Sequence, residues 1–129
     1  MTRDEIEGKV RDVLAEALCI DEDEVVPTAT LTGDLGAESI DFLDIVFRLE
    51  QAFALKIQQG ELFPDNLQQD PQYVRDGCLT EHGLAALRER LPHAEIERIE
   101  DDPRLARVGE VFTVRAIVNF VERKLGAVA

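Results

Sequence analysis

The sequence predicts an all-α fold, a bundle of three main antiparallel helices with an inserted helical segment. Apolar residues recur at helical spacing in three separate stretches. Four of the five prolines fall between the second stretch and the third, where they punctuate any long helix. With 45% hydrophobic and 32% charged residues in 129, there is enough apolar material for one core and no sheet is needed.

In the first helix, Thr2 to Leu18, the apolar residues Ile6, Val10, Val13, Leu14, Ala17 and Leu18 share a face, and Thr2 with Glu5 has the pattern of a capping box. Cys19 reads as a small core residue. Asp21 to Ala37 carries Pro27, Gly33 and Gly36 with Thr28, Thr30 and Thr32 between them, an ordered loop that Leu31 and Leu35 pin to the core. The second helix begins near Ser39, with Glu38 or Ser39 as N-cap. Ile40, Leu43, Val46, Phe47, Leu49 and Phe53 form its apolar stripe, while Asp41, Asp44, Arg48 and Glu50 lie mostly on other faces.

From about Gln58 to Gly109 the pattern loosens, and Pro64, Pro71, Pro92 and Pro103 appear. A structureless loop of that length is unusual in a compact domain, so local helices are expected there. One is a short helix near Gln58 to Phe63; another runs from Thr80, its cap, through Leu84, Leu87 and Leu91. The last helix follows Thr113 and places Val114, Ile117, Val118, Val121 and Leu125 on one face, with Arg123 and Lys124 in its last turn and Gly126 just beyond.

A formal charge of -13 without a Lys/Arg cluster argues against nucleic acid and for basic protein partners. The same self-repulsion favours a monomer. No apolar run reaches the roughly 18 residues of a membrane span, and the charged Met1-Thr2-Arg3-Asp4-Glu5 start is unlike a signal peptide, so a cytoplasmic protein, not an integral membrane one, is expected. Cys19 and Cys78 lack the paired spacing of a zinc or redox motif, and His82 and His93 are the only histidines. Asp21-Glu22-Asp23-Glu24 is no EF-hand loop, since counting from Asp21 puts Val26 and Thr32 where Gly and Glu are required. No metal ligands are assigned.

The most informative stretch is Asp34-Leu35-Gly36-Ala37-Glu38-Ser39-Ile40-Asp41-Phe42-Leu43, in which a serine follows a glycine-bearing turn and opens an acidic amphipathic helix. Here the sequence resembles the acyl carrier proteins. In that family a serine in an Asp-Ser-Leu setting receives a 4′-phosphopantetheine arm; Glu38-Ser39-Ile40 keeps the serine and changes its neighbours conservatively. The resemblance runs on through Leu49-Glu50-Gln51-Ala52-Phe53 and takes in the first helix, the long loop and the last helix. It implies an acyl-carrier-like bundle, one carrier domain over residues 1–129 with an insertion at about 58–109.

The resemblance further implies that Ser39 binds the cofactor covalently, that the chain is not itself an enzyme, and that a phosphopantetheinyl transferase supplies coenzyme A, a divalent metal and the base. Acyl groups would then ride as thioesters on the arm's terminal thiol, not on Cys19 or Cys78. A serine before a helix can be an N-cap and nothing more, but this context favours modification. A serine hydrolase is disfavoured because the Gly-x-Ser-x-Gly elbow is missing and both histidines lie in the insertion.

Glu38, Asp41, Asp44 and Glu50 match acidic positions that, in the resembled family, meet basic patches on acyl-loading, synthase and acyltransferase enzymes. The alternative is a solvated face, and Arg48 departs from the family pattern. Phe42, Leu43, Val46, Phe47, Phe53, Phe63, Phe112 and Phe120 read first as bundle core; carriers in the resembled family part their helices to hold an acyl chain, and the resemblance thereby makes Leu43, Val46 and Phe47 candidates to line an acyl pocket. The insertion, carrying Leu62, Phe63, Leu67, Leu84, Leu87 and Leu91, either enlarges that pocket or forms a specificity surface. The expected function is a specialised carrier in fatty acid, lipid or polyketide synthesis. The competing classes are an unmodified helical interaction module and an aminoacyl or peptidyl carrier.

Overall fold

The computed structural model describes residues 2–58, 60–63 and 71–128, leaving aside the side chains of Ser39, Ala106, Ala127 and Val128. Helix α1 spans Arg3–Leu18, α2 Ser39–Phe53, α3 Glu81–Arg90 and α4 Val114–Val128. The bundle is built on α1, which packs against both α2 and α4. Ile6, Val10, Val13 and Leu14 of α1 meet Ile45, Leu49 and Phe53 of α2 and Ile117, Val118 and Val121 of α4 in one buried cluster.

The Thr2 hydroxyl caps α1 by accepting from the Glu5 N–H at 3.2 Å, one half of the expected box. The helix stops at Cys19, whose left-handed backbone (φ 55°) turns the chain away. Cys19 is exposed there and not in the core, because a residue at this cap projects beyond the packed face of the helix.

The loop after α1 is ordered as expected, with Leu31 and Leu35 buried. Its acidic run forms a 3-10 turn, Glu22–Glu24, closed by the Asp21 N–H donating to the Glu24 carboxylate at 3.1 Å. Further on, the Asp34 carboxylate accepts from the Thr30 N–H at 2.8 Å and from its hydroxyl at 3.2 Å. Thr30 also pairs with Thr113 in an antiparallel bridge, so the loop reaches across to the start of α4. There the Ala29 and Pro27 carbonyls each accept at 2.9 Å from the N–H groups of Val114 and Arg115, donors that a helix leaves unpaired in its first turn. The Thr113 hydroxyl takes a third, from Ala116 at 3.1 Å.

A two-stranded antiparallel hairpin, β1 (Val74–Arg75) and β2 (Cys78–Leu79), precedes α3, which corrects the expectation that no sheet is needed. Asp76 and Gly77 both adopt positive φ, and this left-handed pair makes the two-residue turn that closes it. The Thr80 hydroxyl caps α3 as expected, accepting from Gly83 N–H at 3.1 Å. Residues 60–63 are in turns and bends, not the expected short helix; the Glu61 N–H donates to the Gln58 carbonyl at 3.0 Å, and Gln59, Pro64 and Leu67 lie outside the described residues. Two 3-10 stretches, Ile96–Ile99 and Leu105–Val111, return the chain to α4. Gly126 does not end α4, which continues to Val128.

This segment packs on the bundle through several anchors. Leu62, Leu87 and Leu91 are buried and Leu84 is half-buried against the same cluster. Glu95 is buried; its carboxylate takes bonds from Arg115 Nε at 3.1 Å and Nη2 at 2.9 Å, together with one from the Thr113 hydroxyl.

Candidate functional site

Ser39 is the first residue of α2, and the chain reaches it through a turn that requires a glycine. Gly36 has φ +74°, a left-handed conformation that costs a side-chain-bearing residue, while Leu35 and Ala37 on either side are buried. Pinned in this way, the backbone delivers Glu38 and Ile40 to the surface on both sides of Ser39, with Ile40 73% exposed. Glu38 is the N-cap residue, and its N–H donates to the Asp41 carboxylate at 2.8 Å. The mouth of the helix is therefore structured and flanked by exposed residues, with the positive end of the helix dipole beside them.

Two faces of α2 are apolar. Ile45, Leu49 and Phe53 are buried, with Phe42, Val46 and Ala52 half-buried beside them. Leu43 is 75% exposed and Phe47 59%, and with Ile40 they line the opposite face. This corrects the expected core stripe. Val46 remains on the inner side, whereas Leu43 and Phe47 face solvent because the 45-49-53 register claims the core. One surface cleft lies between α1, Pro27 and α4 and another along Asp12 to Glu22, and α2 lines neither.

The four acidic candidates have different surroundings. Glu38 is exposed, and Asp41 is half-buried in its capping bond. Asp44 pairs with Arg48 at 2.9 Å, and the same guanidinium reaches Glu16 of α1 at 3.4 Å. Asp44 gives up part of its negative field to that pair, and Asp44 and Glu16 between them hold the Arg48 cation above its ordinary range. Glu50 accepts from the Ile57 N–H at 2.9 Å and so tethers the chain leaving α2.

Ile45 is a core residue that the expected stripe leaves out, although its spacing to Leu49 and Phe53 is helical; the surplus of apolar residues on α2 is the available signal. His93 and Glu95 carried none. His93 is buried, and its Nε2–H donates to the Leu62 carbonyl at 2.8 Å. Burial pushes the imidazole below its ordinary value near 6.5, with the Arg123 charge adding to this, against the opposing pull of the Leu62 bond and the Glu61 charge.

A short helical bundle offering a serine at the mouth of an acidic helix matches a known class. The phosphopantetheine attachment site family covers residues 8–66, which take in α2 whole and most of α1. The chain is similar to the acyl carrier protein of Petrotoga mobilis, 39% identical over 62 residues, 48% of this chain and 73% of that one. It is similar also to the acyl carrier protein of Thermotoga maritima, 39% identical over 61 residues, 47% of this chain and 75% of the other. With the acyl carrier protein AcpXL of Brucella melitensis it shares 49% identity over 49 residues, 38% of this chain and 53% of that relative. The chain belongs to the acyl carrier protein family. Membership implies a covalently attached 4′-phosphopantetheine and a carrier role.

Proposed function

We propose that the chain carries acyl groups on a 4′-phosphopantetheine arm attached to Ser39, as a non-catalytic carrier in the cytoplasm, where coenzyme A is at hand. The observation that supports this is the position of Ser39, first in α2 between exposed Glu38 and Ile40. The residues suit the group. A phosphodiester there meets the N-terminal end of a helix, which stabilises an anion by about 0.3–1 kcal/mol. When bound, the arm supplies a terminal thiol that holds acyl groups as thioesters.

The protein's own part is presentation. Gly36 and the buried Leu35 and Ala37 fix the approach, and the Glu38–Asp41 bond holds the first turn in shape. Ile40, Leu43 and Phe47 with the flanking Glu38, Asp41 and Asp44 make an apolar strip edged by negative charge, suited to the transferase and to synthase, loading and acyltransferase enzymes with basic patches. Glu50, occupied by Ile57, contributes less. Residues 1–129 form one carrier domain, with about 58–109 as an insertion before α4. Acyl cargo in fatty acid, lipid or polyketide synthesis is preferred to aminoacyl cargo, given the acyl carriers among its relatives.

Intact-mass measurement after incubation with coenzyme A and a broad-specificity phosphopantetheinyl transferase tests this. One added arm is expected, lost in Ser39→Ala. An unmodified mass under conditions that modify a control carrier would leave an interaction module as the function.

A further inference from the structure

The space behind the first turn of α2 is filled from outside the three main helices. Phe42, three residues on from Ser39, stacks on Phe63 with centroids 4.6 Å apart and planes at 29°. Phe63 meets Phe112 edge-on at 5.1 Å, and His93 lies 6.5 Å from Phe112 and 4.9 Å from Phe120 of α4. An unbroken series of rings therefore runs inward from the mouth of α2. The short strap bearing Phe63 is held from two directions: Lys124 of α4 binds Glu61 at 2.7 Å, and His93 binds the Leu62 carbonyl at 2.8 Å. Leu62 is fully buried, while Phe63 is half-buried.

We propose that Phe63 is a specificity-determining residue that fills, in the uncharged carrier, the space an acyl chain takes, so that cargo is sheltered only by displacing its ring from Phe42. The proposal deepens the carrier function argued above and depends on it. The physical basis is a contest between a fixed loss and a growing gain. Parting Phe63 from Phe42 and Phe112 forfeits the same ring contacts whatever the cargo, whereas every methylene that enters adds further apolar burial. Short chains therefore stay outside, and shelter sets in above a threshold length. The strap adds to the fixed loss, because Phe63 moves only against the Glu61–Lys124 and Leu62–His93 bonds that hold its neighbours.

The test loads the full chain with straight saturated acyl groups of increasing length, using acyl-coenzyme A and the transferase, and follows thioester cleavage by hydroxylamine. In the wild type, cleavage should slow severalfold only beyond a threshold length. Phe63→Ala should shift that threshold to shorter chains, since the emptied apolar space takes up an apolar guest. Lys124→Met, which frees the strap without touching the interior, should shift it the same way by less, and Phe63→Leu stands in if the alanine variant does not fold. Identical length profiles in the wild type and these variants, all shown by mass to carry the acylated arm, would overturn the proposal. A mass lacking the arm would instead overturn the carrier function beneath it.

Discussion

Arg115 and Glu95 form a two-pronged ion pair that joins the first turn of α4 to the segment preceding it. Both carboxylate oxygens are engaged, at 2.9 and 3.1 Å, and the Thr113 hydroxyl donates to one of them. Burial alone would push this carboxyl up. The bonds from Arg115 and Thr113, with the charges of Arg115 and Arg98, outweigh it and hold Glu95 below the usual carboxylate range. Because its folded value is depressed, its stabilisation is present above about pH 4.5, the unfolded value, and is lost as pH falls through the folded one. Glu95→Ala should cost about 2 kcal/mol in urea unfolding at neutral pH, the scale of hydrogen bonds to a charged group. That difference should shrink in acid. An equal loss at all pH values would refute the charge as its source.

His93 is expected to govern a second and earlier acid-sensitive window. Its folded pKa is lowered by burial, so above the ordinary value near 6.5 both folded and unfolded states are neutral and stability is full. Below it the unfolded chain takes a proton that the folded one resists, and stability falls until the folded pKa is reached. His93→Gln, which retains a donor toward Leu62 but cannot titrate, should flatten melting temperature against pH below about 6.5. A variant curve parallel to the wild type would rule this out.

On the exposed face of α2, Leu43→Ser should leave unfolding free energy within about 0.5 kcal/mol of the wild type, because the side chain is 75% exposed. Its effect belongs in partner kinetics: KM for the transferase should rise severalfold while the end-point mass stays the same. Loss of stability without loss of docking would return Leu43 to the core.

Gly83 offers a contest between propensity and sterics. Alanine is favoured over glycine in a helix by about 1 kcal/mol, yet a β-carbon at this buried position would run into the Tyr73 carbonyl. Overpacking against backbone, typically about 1–3 kcal/mol, should win, so Gly83→Ala is expected to lower the denaturation midpoint. A stabilised variant would show that the hairpin yields.

The charge of -13 should make the fold sensitive to salt. Raising ionic strength from a few millimolar to about 0.15 M shortens the screening length to about 8 Å, and melting temperature should rise with it, as it should with divalent cations. A flat response would mean that ion pairs such as Arg3–Glu122 and Lys124–Glu61, which salt weakens, offset the relief of repulsion.

The helices were legible wherever one apolar stripe and a capping hydroxyl coincide, as at Thr2, Thr80 and Thr113. Helix α2 was legible in extent but not in orientation. Ile40, Leu43 and Phe47 repeat with the same period as Ile45, Leu49 and Phe53, and periodicity alone does not say which stripe faces inward. The hairpin is not legible because two-residue strands carry no alternation. The candidate attachment serine was legible because it sits in a local motif. His93, Glu95 and the Phe42–Phe63 stack depend on contacts between residues 18 to 31 positions apart, which no local pattern announces.

The carbonyls that Pro27 and Ala29 lend to the start of α4 come from a part of the chain completed long before α4 begins. Two of the donors at the start of α4 are thus met by the chain before Ile57, while Glu95, from the stretch between Ile57 and Thr113, clasps Arg115 in the same turn. The final helix is berthed from both sides, by an early loop and by a late one.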